Sequence, residues 1–415
     1  MRAARLAFLA ALAACVGAGP AGRAAIGPND AVPAATLLLP YFEVDPAPIA
    51  QGQPAPRARA LLTVRNTRAI AVLTQVTVWT DAGLPALSFP VYLTGYDAEI
   101  IDLRAVLVGG ALPASAPADA DPDDAISPRG PLSEDRAIPS CRGEMPPAPL
   151  DAAARASLRA ALSGQPSALF GGQCGSAAHG VTAEAPAGDG LLRGYVTVDV
   201  VKGCSDGPRD GAYAATVLAT TNALTGAFEL VDNAYNSAVG ELLVHVEAST
   251  TDPRTTTAGA PTFYGRLVGW SGVDRREPLT PRLRAWAPQG GIVDAAELIV
   301  FREPAGPVAP FPCGSPAAGE GLRAARAYEE GGQSTPLAAG TAPFPLVTQR
   351  VMLRDALPGA PAFASLDVDL RAPVGATGGP TSAPAFRNGV MFVIAGAAGR
   401  FATMTPSVAL PPEAP

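Results

Sequence analysis

The chain has 415 residues, with 30 Lys and Arg against 37 Asp and Glu, so its formal net charge is −7. Hydrophobic residues make up 48% of it, which is enough to build a core and excludes a wholly disordered chain. Phosphate binding needs clustered Lys and Arg, so an acidic chain with one lysine, Lys202, argues against a nucleic-acid partner. No apolar run after the first 20 residues is long enough to span a bilayer, so no internal transmembrane segment is predicted.

The first 25 residues have the organisation of a secretory signal peptide. Two arginines lie within Met1–Arg5, an unbroken apolar stretch covers Leu6–Ala14, and small residues follow. The sequence therefore predicts an exported protein, whether periplasmic, attached to the outer membrane or extracellular. The sequence leaves open two ways in which this segment could be processed. Leu12–Cys15 resembles a lipoprotein box, in which Cys15 would carry lipid, whereas plain cleavage a few residues later, which we favour, releases a chain without lipid.

Cysteine usage agrees with export. Beyond Cys15 the chain has four cysteines, Cys141, Cys174, Cys204 and Cys313, and an even count in an exported chain predicts two disulfides. Four cysteines allow three pairings, and the sequence does not decide among them. A Cys141–Cys174 bond would hold one long irregular segment and leave Cys204–Cys313 to tie the second half together.

Short segments rich in β-branched residues predict a first β-sandwich unit over residues 26–111. In Ala71–Thr80, three valines lie on one face and Trp79 lies on the other, which is typical of a half-buried strand. Segments about ten residues apart have the spacing of a sandwich. The predicted strands are Thr36–Val44, Ala58–Asn66, Ala71–Thr80, Ala86–Leu93 and Ala98–Leu103.

Residues 112–189 are rich in Pro, Ala, Asp and Gly and predict an irregular insertion with one short helix. Asp151 can cap the start of that helix, Leu158 and Leu162 lie one turn apart, and Gly164 occupies a C-terminal position.

The second half predicts a further β-rich unit over residues 190–303, a Pro/Gly-rich loop over 304–345, and C-terminal strands over 346–415 that complete the unit. The fold class is therefore all-β, with two β-sandwich-like units of Ig-like or jelly-roll-like type. The predicted strands are Leu191–Val201, Tyr213–Thr220, Ala227–Val231, Glu241–Glu247, Thr262–Gly269, Glu297–Phe301, Leu346–Leu353, Ala364–Leu370, Val390–Ala395 and Arg400–Met404.

One acidic loop has oxygen ligands at a spacing that Ca²⁺ sites use. Asp119, Asp121 and Asp123 alternate as in the opening of an EF-hand loop, but Asp124 replaces the glycine and Gly130 replaces the bidentate glutamate. The alternatives are a weak Ca²⁺ site and a solvated acidic loop. No other cofactor is predicted, because the chain has no Walker loop, dinucleotide fingerprint or H-E-x-x-H motif.

No complete catalytic set is apparent, so no catalytic residue is predicted. Cys174 lies in a Gly-rich segment that superficially resembles a thiol-protease site, but the neighbouring residues of that signature are missing, and a disulfide is the simpler interpretation. His245 and Glu247 share one strand face and could share a proton or bind a metal, although two ligands from one strand make a poor site. The simpler interpretation is a solvated strand face.

Aromatic residues on the first predicted sheet suggest a binding surface. Trp79 lies opposite the valine face of its strand, and together with Tyr92 or Tyr96 it could form an exposed platform for a sugar or a peptide. The alternative is that these aromatic side chains belong to the core.

Several segments resemble those of a group of exported bacterial proteins that are built of β-sandwich modules and have no assigned activity. The resemblance implies the fold and export, and it implies no site residue. The segments are LLLPYFEVD, LLTVRNT, VTVWTDAGLPALSFPVYLTGYDAEIIDL, GYVTVDVV, LLVHVEA and TFYGRLVGW.

The sequence therefore predicts a non-enzymatic structural or binding protein of the bacterial envelope or extracellular space. A surface glycan or an envelope protein is the expected kind of partner. One alternative is a carbohydrate- or peptide-binding module. A second is a hydrolase that uses a strand carboxylate such as Asp199 or Glu247.

Overall fold

A computed structural model places most of the chain after residue 30. The residues it describes are 31–48, 55–113, 141, 147–209, 211–233, 236–269, 275–288, 290–291, 293, 295–304, 308–314, 322, 324–329, 332–337, 346–371, 388–397 and 401–410. The predicted signal peptide with Cys15, and the acidic segment with Asp119, Asp121 and Asp123, lie outside them.

The described residues are mainly β-strands, which confirms the all-β prediction. In chain order the first nine are β1 Thr36–Val44, β2 Ala58–Asn66, β3 Val72–Thr80, β4 Pro85–Leu93, β5 Ala98–Asp102, β6 Leu192–Val201, β7 Leu224–Asp232, β8 Ser237–Leu242 and β9 Val244–Val246. The others are β10 Pro261–Thr262, β11 Arg266–Leu267, β12 Arg282–Ala287, β13 Ala295–Arg302, β14 Ala324–Tyr328, β15 Ser334–Leu337, β16 Thr348–Met352, β17 Ala364–Asp369, β18 Gly389–Ala397, β19 Phe401–Pro406 and β20 Val408–Ala409.

The helical elements are short. The α-helices are α1 Ala152–Leu162, α2 Pro253–Thr256 and α3 Leu353–Ala356, the π-helices are Ala105–Gly109 and Tyr213–Val217, and the 3₁₀-helices are Ala168–Phe170 and Gly207–Arg209. Among the described residues, no helix is long and apolar enough to cross a bilayer.

The first unit is a pair of packed antiparallel sheets. Sheet 1 has the strand order β4-β3-β6-β1-β9 and sheet 2 has the order β5-β2-β7-β8. Strand β1 packs on β2 and β7, so the two sheets lie face to face. The valines of β3 and β6, such as Val76 and Val198, form one face of sheet 1, and Leu37 on that face points at Gly226 of sheet 2.

The second unit is built in the same way. Sheet 3 has the order β16-β13-β18-β19 and sheet 4 has the order β15-β14-β17-β12-β20. Alternation along β13 divides its side chains between two cores. Leu298 and Val300 pack in the core of the second unit, whereas Ile299 and Phe301 pack in the core of the first unit. Strand β13 is therefore buried on both faces of sheet 3, and the units share apolar contacts.

A partly buried ion-pair network also joins the two units. Glu43 of β1 pairs with Arg193 of β6 at 2.8 Å and with Arg350 of β16 at 3.1 Å. Burial by itself would raise the pKa of Glu43, but the two guanidinium groups outweigh it and hold the pKa below its ordinary value. Glu43 is therefore ionised at neutral pH and links the first unit to the second.

The predicted boundary between the units at residue 190 is wrong. Strand β6 pairs along its length with β1 and β3, and β7 pairs with β2. Both belong to the first unit, which the insertion interrupts. Sequence spacing could not reveal this, because pairing partners that are distant along the chain are selected by the packing of the whole core.

The predicted helix in the insertion is confirmed. The Asp151 side chain accepts a hydrogen bond from the Ala154 amide at 2.7 Å, which satisfies one of the first free N–H groups of α1. Leu158 and Leu162 are buried on one side, and Gly164, at φ 73°, follows the helix end.

Two other sequence-based assignments are wrong. Tyr213–Thr220 begins as a π-helix rather than a strand, and the predicted loop over 304–345 contains β14 and β15. The sequence also did not predict strand β12. Strands β12 and β14 have the sequences RLRAWA and AARAY, and alanine has little intrinsic strand preference, so neither segment has a clear strand pattern.

The four cysteines form two disulfides, as predicted, but the suggested pairing is wrong. The bonds are Cys141–Cys204 and Cys174–Cys313. A short antiparallel bridge between Cys174 and Phe311 brings the insertion next to the segment after β13, so Cys174 meets Cys313 rather than Cys141.

Candidate binding pocket

A cavity of about 380 Å³ lies at the face of sheet 1 that is turned away from sheet 2. Two charged residues, Arg266 and Glu303, line it together with prolines, glycines and a valine. Six aromatic residues also line this cavity, which we call the aromatic pocket: Trp79, Tyr195, Tyr213, Phe263, Tyr264 and Phe301.

The base of the aromatic pocket is a cross-strand pair. Trp79 of β3 lies opposite Tyr195 of β6, and their rings stack with centroids 5.5 Å apart and planes 4° apart. The Trp79 Nε1–H donates to Thr197 Oγ1 at 2.8 Å. Side chains alternate between the two faces of a strand, so Trp79 and Tyr195 lie on the face of sheet 1 opposite the valines.

A strained turn forms another wall. Tyr264 lies between β10 and β11 at φ 71°, a left-handed conformation that is uncommon for a residue with a side chain. Its amide donates to Glu303 Oε1 at 3.1 Å, and its hydroxyl donates to Asp199 Oδ2 at 2.7 Å. The next residue is Gly265, where a Cβ would lie 2.4 Å from the Pro304 carbonyl oxygen. The turn is therefore held at both ends of the tyrosine.

Asp199 accepts hydrogen bonds from two of the tyrosines that line the aromatic pocket. This carboxylate has no solvent exposure and accepts hydrogen bonds from the hydroxyls of Tyr213, at 2.8 Å, and Tyr264. It also accepts from Thr36 Oγ1 at 2.5 Å and lies 3.6 Å from Arg276 Nε. Burial, and after it the charge of Asp199, raises the pKa of both tyrosines far above its ordinary value, so they remain neutral donors.

Both disulfides hold segments that line the pocket. Cys204 starts the segment that carries Pro208 and Tyr213, and Cys313 ends the segment that carries Pro304 and Val308. Glycine permits the first of these segments to lie close to the sheet, because a Cβ on Gly207 would meet Ser88 Oγ at 2.1 Å. The pocket thus combines strands of both units with two covalently tethered segments.

The predicted exposed platform of Trp79, Tyr92 and Tyr96 does not exist. Trp79 is 7% exposed and Tyr92 is 4% exposed, because the segment after Cys204 and the second unit cover their face of sheet 1. Tyr96 is 73% exposed, at φ 59° in the turn before β5. The sequence placed Trp79 on the correct face of its strand, but that face is buried.

The predicted outward face of His245 and Glu247 is also wrong. His245 is 1% exposed and points at sheet 2, where its Nε2 accepts a hydrogen bond from the Gly226 amide at 3.2 Å. An accepting Nε2 is unprotonated, so the ring has no free electron pair directed at a metal. Glu247 is half-buried. Within the described ranges no group of three or more His, Cys, Asp or Glu residues could hold a metal ion.

Glu247 instead belongs to a charged cluster with Glu277, Asp252 and Arg254. Glu277 donates its amide to the Glu247 carbonyl oxygen at 2.8 Å, and its carboxylate lies 2.8 Å from Arg254. Burial raises the pKa of Glu277 to about 7, and the negative charges of Glu247 and Asp252 add to the effect, while Arg254 opposes it.

This shift predicts a pH dependence of stability. The folded-state pKa of Glu277 is above its unfolded value, so the folded chain retains a proton that the unfolded chain has released. The free energy of unfolding should fall, by on the order of 3 kcal/mol, as pH rises from about 4.5 to about 7. In urea unfolding, the Glu277→Gln variant should lack this pH-dependent change in the free energy of unfolding. The Glu184→Gln variant, altered at an exposed position, should retain it. Parallel pH profiles for the wild type and Glu277→Gln would contradict the prediction.

The environment of Asp199 is that of a structural anchor. Both of its oxygens accept hydrogen bonds from hydroxyl donors, and Arg276 Nε lies 3.6 Å from Asp199 Oδ1. A hydrolytic pair would need a second carboxylate or an acidic group within reach of a substrate. Among the described residues, the contacts of Asp199 include no other carboxylate, and the side chain does not reach the pocket surface.

Comparison with known proteins identifies no relative. The chain matches no family model, no curated protein and no solved structure.

Sequence reasoning missed most residues of the aromatic pocket. Tyr195 and Phe301 lie in strands that were predicted correctly, but nothing local distinguishes their face from a solvated one. The signal that was available is the pair Tyr264–Gly265, since a glycine after an aromatic residue marks a turn. The pocket itself requires side chains from residue 79 to residue 308.

Proposed function

We propose that this chain is an exported, non-enzymatic binding protein whose small-molecule ligand occupies the aromatic pocket. One observation carries the proposal: six aromatic side chains line a cavity of about 380 Å³ at the junction of two units. Ligand sites are commonly concave, mainly apolar and located between domains, with a few fixed polar groups. The left-handed Tyr264 supports the proposal, because such strain persists where the surroundings hold a functional residue in place.

Export is part of the proposal. Two disulfides are compatible with an oxidising compartment outside the cytoplasm, and the signal-like N-terminus agrees with it. The Ig-like or jelly-roll-like character of the two units, and the resemblance to exported bacterial β-sandwich proteins, remain predictions.

The proposal favours a buried ligand over a surface glycan or peptide. Trp79 and Tyr92, which were expected to form a surface platform, are buried. A hydrolase that uses Asp199 has less support, since that carboxylate is committed to Tyr213, Tyr264 and Thr36.

The test is a thermal-shift screen of the purified mature chain against small molecules of four classes: neutral aromatics, aromatic acids, quaternary ammonium compounds and saccharides. A ligand at about 100 times its Kd stabilises the folded state by about 2.7 kcal/mol, which raises the midpoint measurably. We expect at least one class to do so.

Two tryptophan variants locate the binding site. Val308 lines the pocket and is half-exposed, so Val308→Trp should fill part of the cavity and abolish the shift. Val181 is exposed at another position, so Val181→Trp adds the same ring there and should leave the shift unchanged. The proposal is wrong if no class shifts the midpoint, or if Val308→Trp and Val181→Trp respond alike.

A further inference from the structure

The chemistry of the pocket wall points to a class of ligand. We propose that the aromatic pocket binds an uncharged, flat aromatic compound that exchanges a hydrogen bond with the hydroxyl of Tyr195. This inference rests on the proposed function and narrows it to one kind of molecule.

The hydroxyl of Tyr195 is an uncharged polar group of the pocket wall that a ligand can reach. Tyr195 is 3% exposed and lines the cavity, and among the described residues its hydroxyl has no hydrogen-bond partner. The other two tyrosines of the wall both donate to Asp199. This hydroxyl is not among the buried side-chain atoms that lack a hydrogen-bond partner, so its oxygen is accessible from the cavity. A ligand can therefore take the place of water on it, and the hydrogen bond then contributes about 1 kcal/mol to binding.

Tyr195 also remains neutral. Burial, followed by the nearby charge of Glu303, raises the pKa of Tyr195 well above its ordinary value. The hydroxyl can therefore donate to, or accept from, a ligand across the physiological pH range.

The charges of the lining balance each other. Glu303 accepts a hydrogen bond from the Tyr264 amide at 3.1 Å, and the Arg266 guanidinium lies 4.9 Å from the centre of the Tyr264 ring. One positive and one negative side chain leave no excess charge to compensate a charged ligand. A charged ligand would lose its hydration energy without gaining an equivalent electrostatic stabilisation in the pocket, so a neutral ligand is favoured.

A quaternary ammonium ligand is disfavoured for a second reason. Aromatic cages attract cations to ring faces, but a ring face of Tyr264 already carries the Arg266 cation. A second positive charge in the same cavity would be repelled.

A saccharide is disfavoured by the number of polar groups it brings. Each sugar hydroxyl needs a hydrogen-bond partner once water is removed, and the lining is mostly aromatic rings, prolines and Val308.

The aromatic rings that line the cavity contact one another at several angles. Tyr195 stacks on Trp79 at 4° and meets Phe301 edge-on at 72° and 5.0 Å. The lining rings are therefore held at different orientations, and aromatic rings associate favourably in both stacked and edge-on geometries.

Four probes separate these classes at pH 7. They are 2-naphthol, naphthalene-2-carboxylate, (naphthalen-2-ylmethyl)trimethylammonium and cellobiose, each titrated into the purified full-length mature chain by calorimetry. We expect 2-naphthol to bind at least ten-fold more tightly than the other three. The proposal is overturned if a charged probe or cellobiose binds as tightly as 2-naphthol.

Tyr195→Phe tests the hydrogen bond itself. The variant removes only a hydroxyl that lacks a protein partner, so its fold should be intact. It should weaken 2-naphthol binding about five- to ten-fold and leave naphthalene binding unchanged. Tyr328→Phe, on sheet 4, is the matched control and should change neither. Equal effects of Tyr195→Phe on both probes would overturn the hydrogen-bond assignment.

The outcomes distinguish the two proposals. If a charged probe or cellobiose binds and Val308→Trp abolishes that binding, the pocket is a ligand site and only the ligand class is wrong. If no probe binds the wild-type chain, both proposals fail.

Discussion

Asp199→Ala is expected to lower the free energy of unfolding by about 3–5 kcal/mol. Asp199 and Arg276 are both fully buried, with Arg276 Nε 3.6 Å from Asp199 Oδ1. Removing the carboxylate takes this negative charge away from a guanidinium in the interior. It also leaves the hydroxyls of Tyr213 and Tyr264 without their acceptor. Urea unfolding, followed by far-UV circular dichroism, measures the loss.

Two controls separate burial from charge. Asp355 forms an ion pair with Arg354 at 3.7 Å in which both side chains are mostly exposed, so Asp355→Ala should cost well under about 1 kcal/mol. The double variant Asp199→Asn with Arg276→Met removes both buried charges and should be more stable than Asp199→Ala. A loss below about 1 kcal/mol for Asp199→Ala would contradict the role of this residue as an anchor.

The same variant should alter the pocket. Tyr213 and Tyr264 are positioned through their bonds to Asp199, so Asp199→Ala should change the near-UV circular dichroism of the aromatic residues and weaken ligand binding. Asp355→Ala should change neither. An unchanged near-UV spectrum in Asp199→Ala would show that the tyrosines are held by other contacts.

Loss of the Cys174–Cys313 disulfide is expected to have an effect of similar size. The bond joins residues 139 apart in sequence, and the Cys141–Cys204 bond joins residues 63 apart. Closing loops of these lengths restricts the unfolded chain and stabilises the folded state by about 5 and about 4 kcal/mol in the chain-entropy model. Paired variants, Cys174→Ala with Cys313→Ala and Cys141→Ala with Cys204→Ala, avoid free thiols. Each should lower the free energy of unfolding by about 2–5 kcal/mol.

Connectivity gives a direct check on this prediction. A proteolytic digest without reduction should contain peptides cross-linked between Cys141 and Cys204 and between Cys174 and Cys313. A Cys141–Cys174 peptide would contradict the pairing. Because both bonds tether segments that line the pocket, each paired variant should also bind 2-naphthol more weakly than the wild type. Stability unchanged by either pair would show that the loops are already ordered in the unfolded chain.

Local features of the fold were predictable to the residue. The predicted bounds Thr36–Val44 and Ala58–Asn66 are those of β1 and β2, and Asp151 caps α1 as expected. Each depends on neighbours in sequence, namely alternation along a strand or a side chain that reaches an amide three residues away. Where local preference is weak, as in the alanine-rich β12 and β14, the prediction failed.

Partners distant in sequence were not predictable. Trp79 was placed on the correct face of β3, but its burial depends on Thr197, 118 residues later, and on Tyr195 beside it. A strand that alternates valine with threonine and glutamine is expected to be half-buried, yet β3 is buried on both faces. Polar residues are buried there because they have hydrogen-bond partners: the hydroxyl of Thr77, for example, lies 2.9 Å from the hydroxyl of Ser88 on β4.

The sequence by itself determined the strand-rich class of this protein, most strand bounds in the first unit, the capped helix and the number of disulfides. These follow from backbone preference, side-chain alternation and residue counts, which act over a few neighbours. Only the tertiary structure decided that β6 and β7 complete the first unit, which cysteines pair, and that Tyr195, Tyr213 and Tyr264 surround one cavity above Asp199. The reason is that a buried face is defined by what packs on it, and that surface is contributed by residues remote in the chain.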